Sequence, residues 1–353
     1  MRLLVVTQKV ERRDDVLGFF HRWLEELAKQ CESVLVICLW EGEHALPGNV
    51  RVVSLGKEQG VSRLKYLLRL VRYLATFHFK YDQVLVHMNP EYIVLAGWWW
   101  RLTGKTIALW YTHRQVNAKL KIATFFAHII FSSTPYSFRI NTPKAHFIGH
   151  GVAVETFAPA ARVARNDDVP LIISVGRITP IKNIDTLIEA IAQVRKRLSV
   201  PLSVTFLGAP LTPSDHAYAR TMEQLVIDRD LQGMVTFAGA VPYAQTLQWF
   251  EKASLAVNMV PPGGLDKAVI EAASAGCPTL TSNIAYAEPF ERYALDLIFA
   301  ERNVDDLAEK IFSFFTKVDR AQVRSYVSEV AVTEFAVERV IQRICTGIMG
   351  VRS

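Results

Sequence analysis

Short runs of apolar residues alternate with stretches of helical periodicity along almost the whole chain. LLVVT near the N-terminus is followed by a helical pattern over Val16–Gln30 and then by SVLVICLW. VRVVSL, YDQVLVHM, TIALWYT, HIIFSST and AHFIG continue the series, with helical spacing between them. Runs of four to eight apolar residues without strict alternation are the pattern of strands buried on both faces. Interleaved with helices, they predict a parallel sheet covered on both sides. After His150-Gly151 the pattern lapses, and Thr156–Pro170 is rich in Ala, Pro, Arg and Asp. That composition predicts a linker. A second series then begins with LIISVG, LSVTFLG, MVTFAG, SLAVNMV, PTLTS and DLIFA, and the chain ends in an amphipathic helix over Phe335–Met349. The prediction is an α/β protein of two Rossmann-like domains. In such sheets ligands bind beyond the carboxyl ends of the strands.

The length of 353 residues fits two domains, and a hydrophobic share of 50% supplies two cores. Cys31, Cys38, Cys277 and Cys345 form no CxxC pair and have no histidine cluster at ligand spacing, so they read as buried thiols of a reducing compartment. MRLLVVTQ reads as a first strand rather than a signal peptide. The longest apolar region, Tyr92–Trp110, is interrupted by Arg101, Gly104 and Lys105, and a spanning helix needs about 20 apolar residues, so no membrane span is predicted. The net charge of +6 is uneven: residues 1–160 hold 20 Lys/Arg against 12 Asp/Glu. Nucleic acid, an anionic membrane surface or a phosphorylated substrate would each suit that basic half.

Two segments carry candidate chemistry. In LIISVGRITPIKNIDTLIEAI a strand ends at Gly176, a loop holds Arg177 and Lys182, and a helix begins near Asn183. Two fixed cations beyond a strand suit a diphosphate; a solvated basic loop is the plain alternative. In VNMVPPGGLDKAVIEAASAGCPTLTSN a strand ends at Pro261-Pro262-Gly263-Gly264, and a helix follows over about Asp266–Ala275. Gly263 and Gly264 permit close approach to that helix N-terminus, whose free amides favour a phosphate. Glu271, further along the helix, is placed to accept hydrogen bonds from a ribose diol. Its plain alternative is a salt-bridged surface glutamate. Residues 61–75 set Leu64, Leu67, Leu68, Val71 and Leu74 on one stripe and Lys65, Arg69 and Arg72 on another. The preferred expectation is a helix packed by its leucines with a solvated basic face. The alternative is a membrane-surface patch, with Trp98, Trp99 and Trp100 assisting.

Gly176-Arg177…Lys182 and Gly264…Glu271-Ala272-Ala273-Ser274-Ala275-Gly276-Cys277-Pro278, with VTFAGAV between them, resemble the "GR…K" and "EG…E-A-x-A-x-G-x-P" motifs of glycosyltransferase family 4. His150-Gly151-Val152 with Phe157 and Pro159, and Tyr111-Thr112-His113, resemble its N-terminal elements. The resemblance implies a GT-B fold in which two Rossmann-like domains face each other across a cleft. The N-terminal, acceptor-binding domain would span 1–158, with the helix of 335–353 returning to it, and the nucleotide-sugar domain 167–334. It implies a retaining, metal-independent hexosyl- or glycosyltransferase that needs no cofactor. Its donor would be a UDP- or GDP-sugar, and its acceptor a glycan or lipid-linked hydroxyl. Such an enzyme is cytoplasmic, with a peripheral position on the inner face of the membrane as a further option, and has no nucleic-acid partner.

By the same resemblance His113, Arg177 and Lys182 are the catalytic candidates. Gly18, Gly176, Val241, Gly264, Leu265, Asp266, Lys267 and Glu271 contact the donor. His87, which ends a strand at the same sheet edge, and Asp15 are acceptor-side candidates; the preferred alternative for Asp15 is a cap on the helix that follows. Two departures stand out. The family pairs two glutamates in this region; Glu271 matches the second, and the first falls at Gly263. Asp266 would replace it, act as a helix cap, or do both. The loop after the first strand, QKVERRDDVLGFF, has Gly18 in place of a Gly-Gly pair. A catalytically impaired sugar-nucleotide-binding protein and another GT-B enzyme, such as a sugar-nucleotide epimerase, remain as alternatives. A nicotinamide dehydrogenase is disfavoured because neither domain opens with GxGxxG.

Overall fold

The computed structural model describes residues 1–14, 17–157, 169–292 and 294–351. The chain forms two compact units: Met1–Ala153 with Ala336–Ser353, and Val154–Phe335.

In the first unit seven strands form one sheet: β1 (Arg2–Val10), β2 (Ser33–Glu41), β3 (Val50–Ser54), β4 (Gln83–His87), β5 (Thr106–Trp110), β6 (Ile129–Ser132) and β7 (Ala145–Phe147). Their order is β3-β2-β1-β4-β5-β6-β7 and every pairing is parallel. Helices α1 (Phe19–Gln30), α2 (Arg63–Thr76), α3 (Glu91–Leu102) and α4 (Ala118–Phe126) connect them. The central strands are apolar throughout, as burial on both faces requires. Side chains of α2, α3 and α4 share one core with Leu4, Val6 and Val84, whereas α1 packs on the opposite face with Leu3, Val5 and Val36. The order reverses between β1 and β4, which makes the loops after those two strands the natural ligand position of this sheet.

The second unit begins with α5 (Val154–Phe157). Its strands are β8 (Leu171–Val175), β9 (Ser203–Leu207), β10 (Val235–Gly239), β11 (Leu255–Asn258) and β12 (Thr279–Thr281), in the parallel order β10-β9-β8-β11-β12. Its helices are α6 (Ile184–Val194), α7 (Pro213–Asp228), α8 (Tyr243–Lys252), α9 (Lys267–Ser274), α10 (Ala287–Glu291), α11 (Val304–Thr316) and α12 (Arg320–Val330). Caps written in the sequence set several starts: Thr212 and Asp215 form a reciprocal box on α7, and Asn303 accepts from the Asp306 N–H on α11. Here the order reverses between β8 and β11. The chain then re-enters the first unit as α13 (Val337–Gly350), which buries Val340, Ile341, Ile344 and Ile348 beside α1.

The structure corrects the expectation for α2. Of the predicted leucine stripe only Leu74 is buried, together with Leu70; Leu64, Leu67, Leu68 and Val71 face solvent. The inward face is set instead by Leu70, Leu74 and two tyrosines, and Tyr73 donates its hydroxyl proton to the Ser54 carbonyl (3.1 Å). Arg69, assigned to a solvated face, turns to the Leu55 carbonyl (3.1 Å) and Gln59 Oε1 (3.0 Å).

Candidate functional site

Because β8 pairs with β11 (Leu255 opposite Ile172, Ala256 opposite Ile173), the loops that follow them meet at the reversal point of the second sheet. These are the two segments that carry the arginine, the lysines and the diglycine turn. The end of β8 is tightly built. Gly176 has φ +140° and Gly208, at the end of β9, has φ +148°. A Cβ on Gly208 would lie 2.0 Å from the Gly176 carbonyl oxygen, so the two strand ends touch backbone to backbone. A Cβ on Gly176 would lie 2.9 Å from both Cε and Nζ of Lys182. The lysine therefore lies directly across this glycine.

Lys182, on the short 3-10 turn Pro180–Lys182, donates to Asp266 Oδ2 at 2.7 Å. Asp266 is the N-cap of α9: its Oδ1 accepts the Ala268 N–H (3.3 Å), and its Oδ2 also accepts from Asn258 Nδ2 (3.0 Å). Burial pushes the Asp266 carboxyl upward, but the Lys182 charge and the three hydrogen bonds outweigh it and hold the group below its ordinary value. One carboxylate thus caps the helix and pairs with the lysine. Lys267, the first residue of α9, is pushed down to about 8 by burial, against the opposing charges of Glu271 and Asp266. Glu271 is buried one turn further on. Arg177 is exposed, and among the described residues its guanidinium has no protein partner.

Asparagines and a tyrosine hold this arrangement. Asn183 adopts the left-handed region (φ +44°) and donates to the Met259 carbonyl (3.0 Å), while its Oδ1 accepts from Arg302 Nε (2.9 Å). Asn283 donates to the Gly264 carbonyl (2.9 Å), and the buried Tyr286 hydroxyl donates to the Asp266 carbonyl (2.6 Å). Gly263 and Leu265 are buried and Gly264 is exposed. Val241 is half-buried against the core beneath α8. Together these features make a cationic loop, a helix N-terminus and a buried carboxylate on one sheet edge. That set can hold a diphosphate and a ribose.

In the first unit, His113 lies in the exposed loop after β5. Its Nδ1 accepts the Gln115 N–H at 3.1 Å, so in the neutral ring the proton sits on Nε2. His87, at the end of β4, is only 2% exposed; its Nδ1 is 3.2 Å from Thr7 Oγ1, and its ring stacks on Phe20 at 4.0 Å. The structure therefore sets it in the core rather than at an open surface. Gly18 has ordinary right-handed angles, and a Cβ there would fall 2.5 Å from the Asp14 carbonyl oxygen. The turn onto α1 accounts for this glycine. Asp14 caps that turn through Leu17 N–H (2.6 Å) and pairs with Lys9 (2.6 Å). Asp15 lies outside the described residues.

The reading from sequence missed Asn183, Asn258, Asn283 and Tyr286, which position the loops. The only trace of Asn183 and Asn258 in sequence is their place, each at the boundary of a predicted element.

The family model described as Glycosyl transferases group 1 matches residues 159–327. The GDP-mannose-dependent alpha-(1-6)-phosphatidylinositol monomannoside mannosyltransferase of Mycobacterium tuberculosis is 27% identical over 190 residues, 50% of this chain and 48% of that protein. The D-inositol 3-phosphate glycosyltransferase of Streptomyces scabiei is 28% identical over 155 residues, 40% of this chain and 34% of that protein. The chain thus spans about half the length of the first of these curated relatives and about a third of the second. Among solved structures, Anabaena Alr3699/HepE in complex with UDP superposes with a TM-score of 0.76 over 99% of this chain and 100% of that one, at 16% identity. That likeness is one of fold: paired parallel-sheet α/β domains of the GT-B type.

Proposed function

We propose that this chain, which belongs through its C-terminal domain to the group 1 glycosyl transferases, moves a sugar from a nucleoside diphosphate sugar to a hydroxyl acceptor. The observation that carries the reading is the meeting of Arg177, Lys182 and the α9 N-terminus at the reversal point of the second sheet. Glu271 takes the ribose hydroxyls, and Gly176, Gly264 and Leu265 allow the phosphates to approach the backbone. Asp266 is the group assigned to the sugar. The uridine nucleotide in the Anabaena structure and the GDP-mannose of the mycobacterial relative make UDP- and GDP-sugars the donors to test. The phosphatidylinositol monomannoside in the mycobacterial relative's name makes a lipid-linked hydroxyl the acceptor to test first.

The chemistry follows from where charge develops. The bond from the anomeric carbon to the diphosphate breaks, and the leaving oxygens gain negative charge. Arg177, Lys182, Lys267 and the amides at the α9 N-terminus stabilise it without a cofactor or metal. The acceptor hydroxyl attacks on the face from which the diphosphate departs, and its proton passes to a diphosphate oxygen. The anomeric configuration is retained, and no dedicated base is required.

Gly263 favours a second reading, a protein that binds the donor but turns it over poorly, because this position lacks the carboxylate expected for the sugar. One experiment decides between them. The full chain is incubated with UDP- and GDP-sugars and lipid-linked or glycan acceptors, and the products are resolved. Free nucleoside diphosphate together with an α-configured glycosylated acceptor supports transfer. Tight donor binding without product supports the second reading, and neither binding nor product overturns both.

A further inference from the structure

Helices α2, α3 and α4 cover one face of the first sheet, and their outward sides are unusually apolar. On α2, Leu64, Leu68 and Val71 are 66%, 60% and 57% exposed, and Phe79 just beyond it is 81% exposed. On the neighbouring helices Trp98 is half exposed, and Leu102 and Phe125 are 78% and 72% exposed. The opposite sides of the same helices supply Leu70, Leu74, Ile93, Trp100 and Leu120 to the core. These helices are thus apolar on two sides, and packing within the unit accounts for only one of them.

Charge selects the occupant of the outer side. Residues 59–154 contain twelve lysines and arginines against two carboxylates, Asp82 and Glu91. Lys65 and Arg72 flank the exposed leucines of α2, and Lys80 follows Phe79; all three are exposed. A symmetric contact with a second copy would set this basic face against itself. An anionic lipid surface pairs with the cations and takes up the apolar side chains together. Among the described residues no helix is long and apolar enough to cross a membrane, so the contact is interfacial.

We propose that the face formed by α2, α3 and α4 docks on an anionic bilayer, with Leu64, Leu68, Phe79 and Trp98 entering the interface. The test is flotation of the full chain with phosphatidylcholine vesicles, with and without phosphatidylglycerol. Wild-type protein floats with the anionic vesicles at low salt and much less with the neutral ones. Leu64→Gln/Leu68→Gln/Phe79→Gln binds at least about tenfold more weakly, with an unchanged melting temperature because these side chains are exposed. Lys65→Gln and Arg72→Gln each weaken binding about fivefold, the equivalent of ~1 kcal/mol. As a check independent of folding, a polarity-sensitive dye on Leu68→Cys shifts to the blue on anionic vesicles, and one on Arg220→Cys does not. Absence of flotation at low salt, equal binding of the triple variant, or an unshifted dye at position 68 each overturns the proposal. So does a concentration-dependent dimer that Leu68→Gln dissociates without any vesicle binding; that outcome assigns the face to a second copy.

Discussion

Lys182→Ala separates the electrostatic account of the donor site from a merely structural one. In the wild type, Lys182 and Asp266 are 2.7 Å apart, and their side chains are 21% and 20% exposed. Removing one partner of a fully buried pair costs about 3–5 kcal/mol, because the other charge is left uncompensated. Solvent reaches a fifth of each side chain here, so the expected loss at pH 7 is about 2 kcal/mol. For a unit the size of Val154–Phe335 that corresponds to a fall in melting temperature of about 4–8 °C. The dependence on pH carries the sharper test. The Asp266 carboxyl is held below its ordinary value of 3.8, so the pair contributes stability above that pH and loses it as the pH falls through the depressed value. In Lys182→Ala burial acts without the opposing charge, the carboxyl moves upward, and protonation relieves its cost. The gap between variant and wild type therefore narrows as the pH falls from the variant's raised value toward the wild type's depressed one. Asp266→Asn in the Lys182→Ala background keeps a good helix cap, removes the stranded charge, and restores about half of the loss at pH 7. Thermal melts of the three proteins at neutral and acid pH measure this. An equal deficit at both pH values, or no recovery in the double variant, refutes the reasoning.

Three further outcomes follow from the same geometry. Lys267 titrates at about 8, so the affinity for a nucleoside diphosphate falls as the pH rises through that value, and Lys267→Ala flattens the profile; calorimetric titrations between neutral and alkaline pH report it. Gly176→Ala places a Cβ at φ +140° and 2.9 Å from the lysine terminus, costs about 1–3 kcal/mol and displaces Lys182, so denaturant unfolding and nucleotide affinity decline together. Glu271→Gln loses charge-assisted bonds to the ribose, worth about 1.5–3 kcal/mol, and weakens the nucleotide by about tenfold or more while leaving inorganic diphosphate binding nearly unchanged; competition binding separates the two.

Much of the architecture is readable from the apolar runs alone. Twelve of the thirteen predicted runs map onto strands, and the last, DLIFA, makes only an isolated bridge from Ile298 to Thr281. The central strands are legible because burial on both faces tolerates little else. The motif segments are likewise visible, since Arg177 and Lys182 follow the LIISVG run and Glu271 lies in the helical stretch after SLAVNMV. Sequence does not show that Lys182 and Asp266, 84 positions apart, form an ion pair, because that contact depends on β8 lying beside β11. Nor does it give the supporting role of Asn183, whose left-handed angle and bond to Met259 arise only once both loops are in place. In α2 the periodicity is present but the inward side was misassigned. Helical spacing groups Leu64, Leu67, Leu68, Val71 and Leu74, whereas the core takes Leu70 and Leu74 with Tyr73 packed beside them. A helix with apolar residues on two sides has no unique inward face by pattern alone. His87 shows the converse: a polar residue at a strand end that the fold encloses against Phe20.

The central claim is that the loops after β8 and β11 form a nucleoside diphosphate site. Isothermal titration of UDP and GDP into wild type, Arg177→Ala and Lys182→Ala tests it most directly. One of the two nucleotides should bind the wild type, and each variant should bind it at least about tenfold more weakly, as expected for the loss of hydrogen bonds to a charged group. Binding of neither nucleotide to the wild type, or equal binding by all three proteins, would contradict the account.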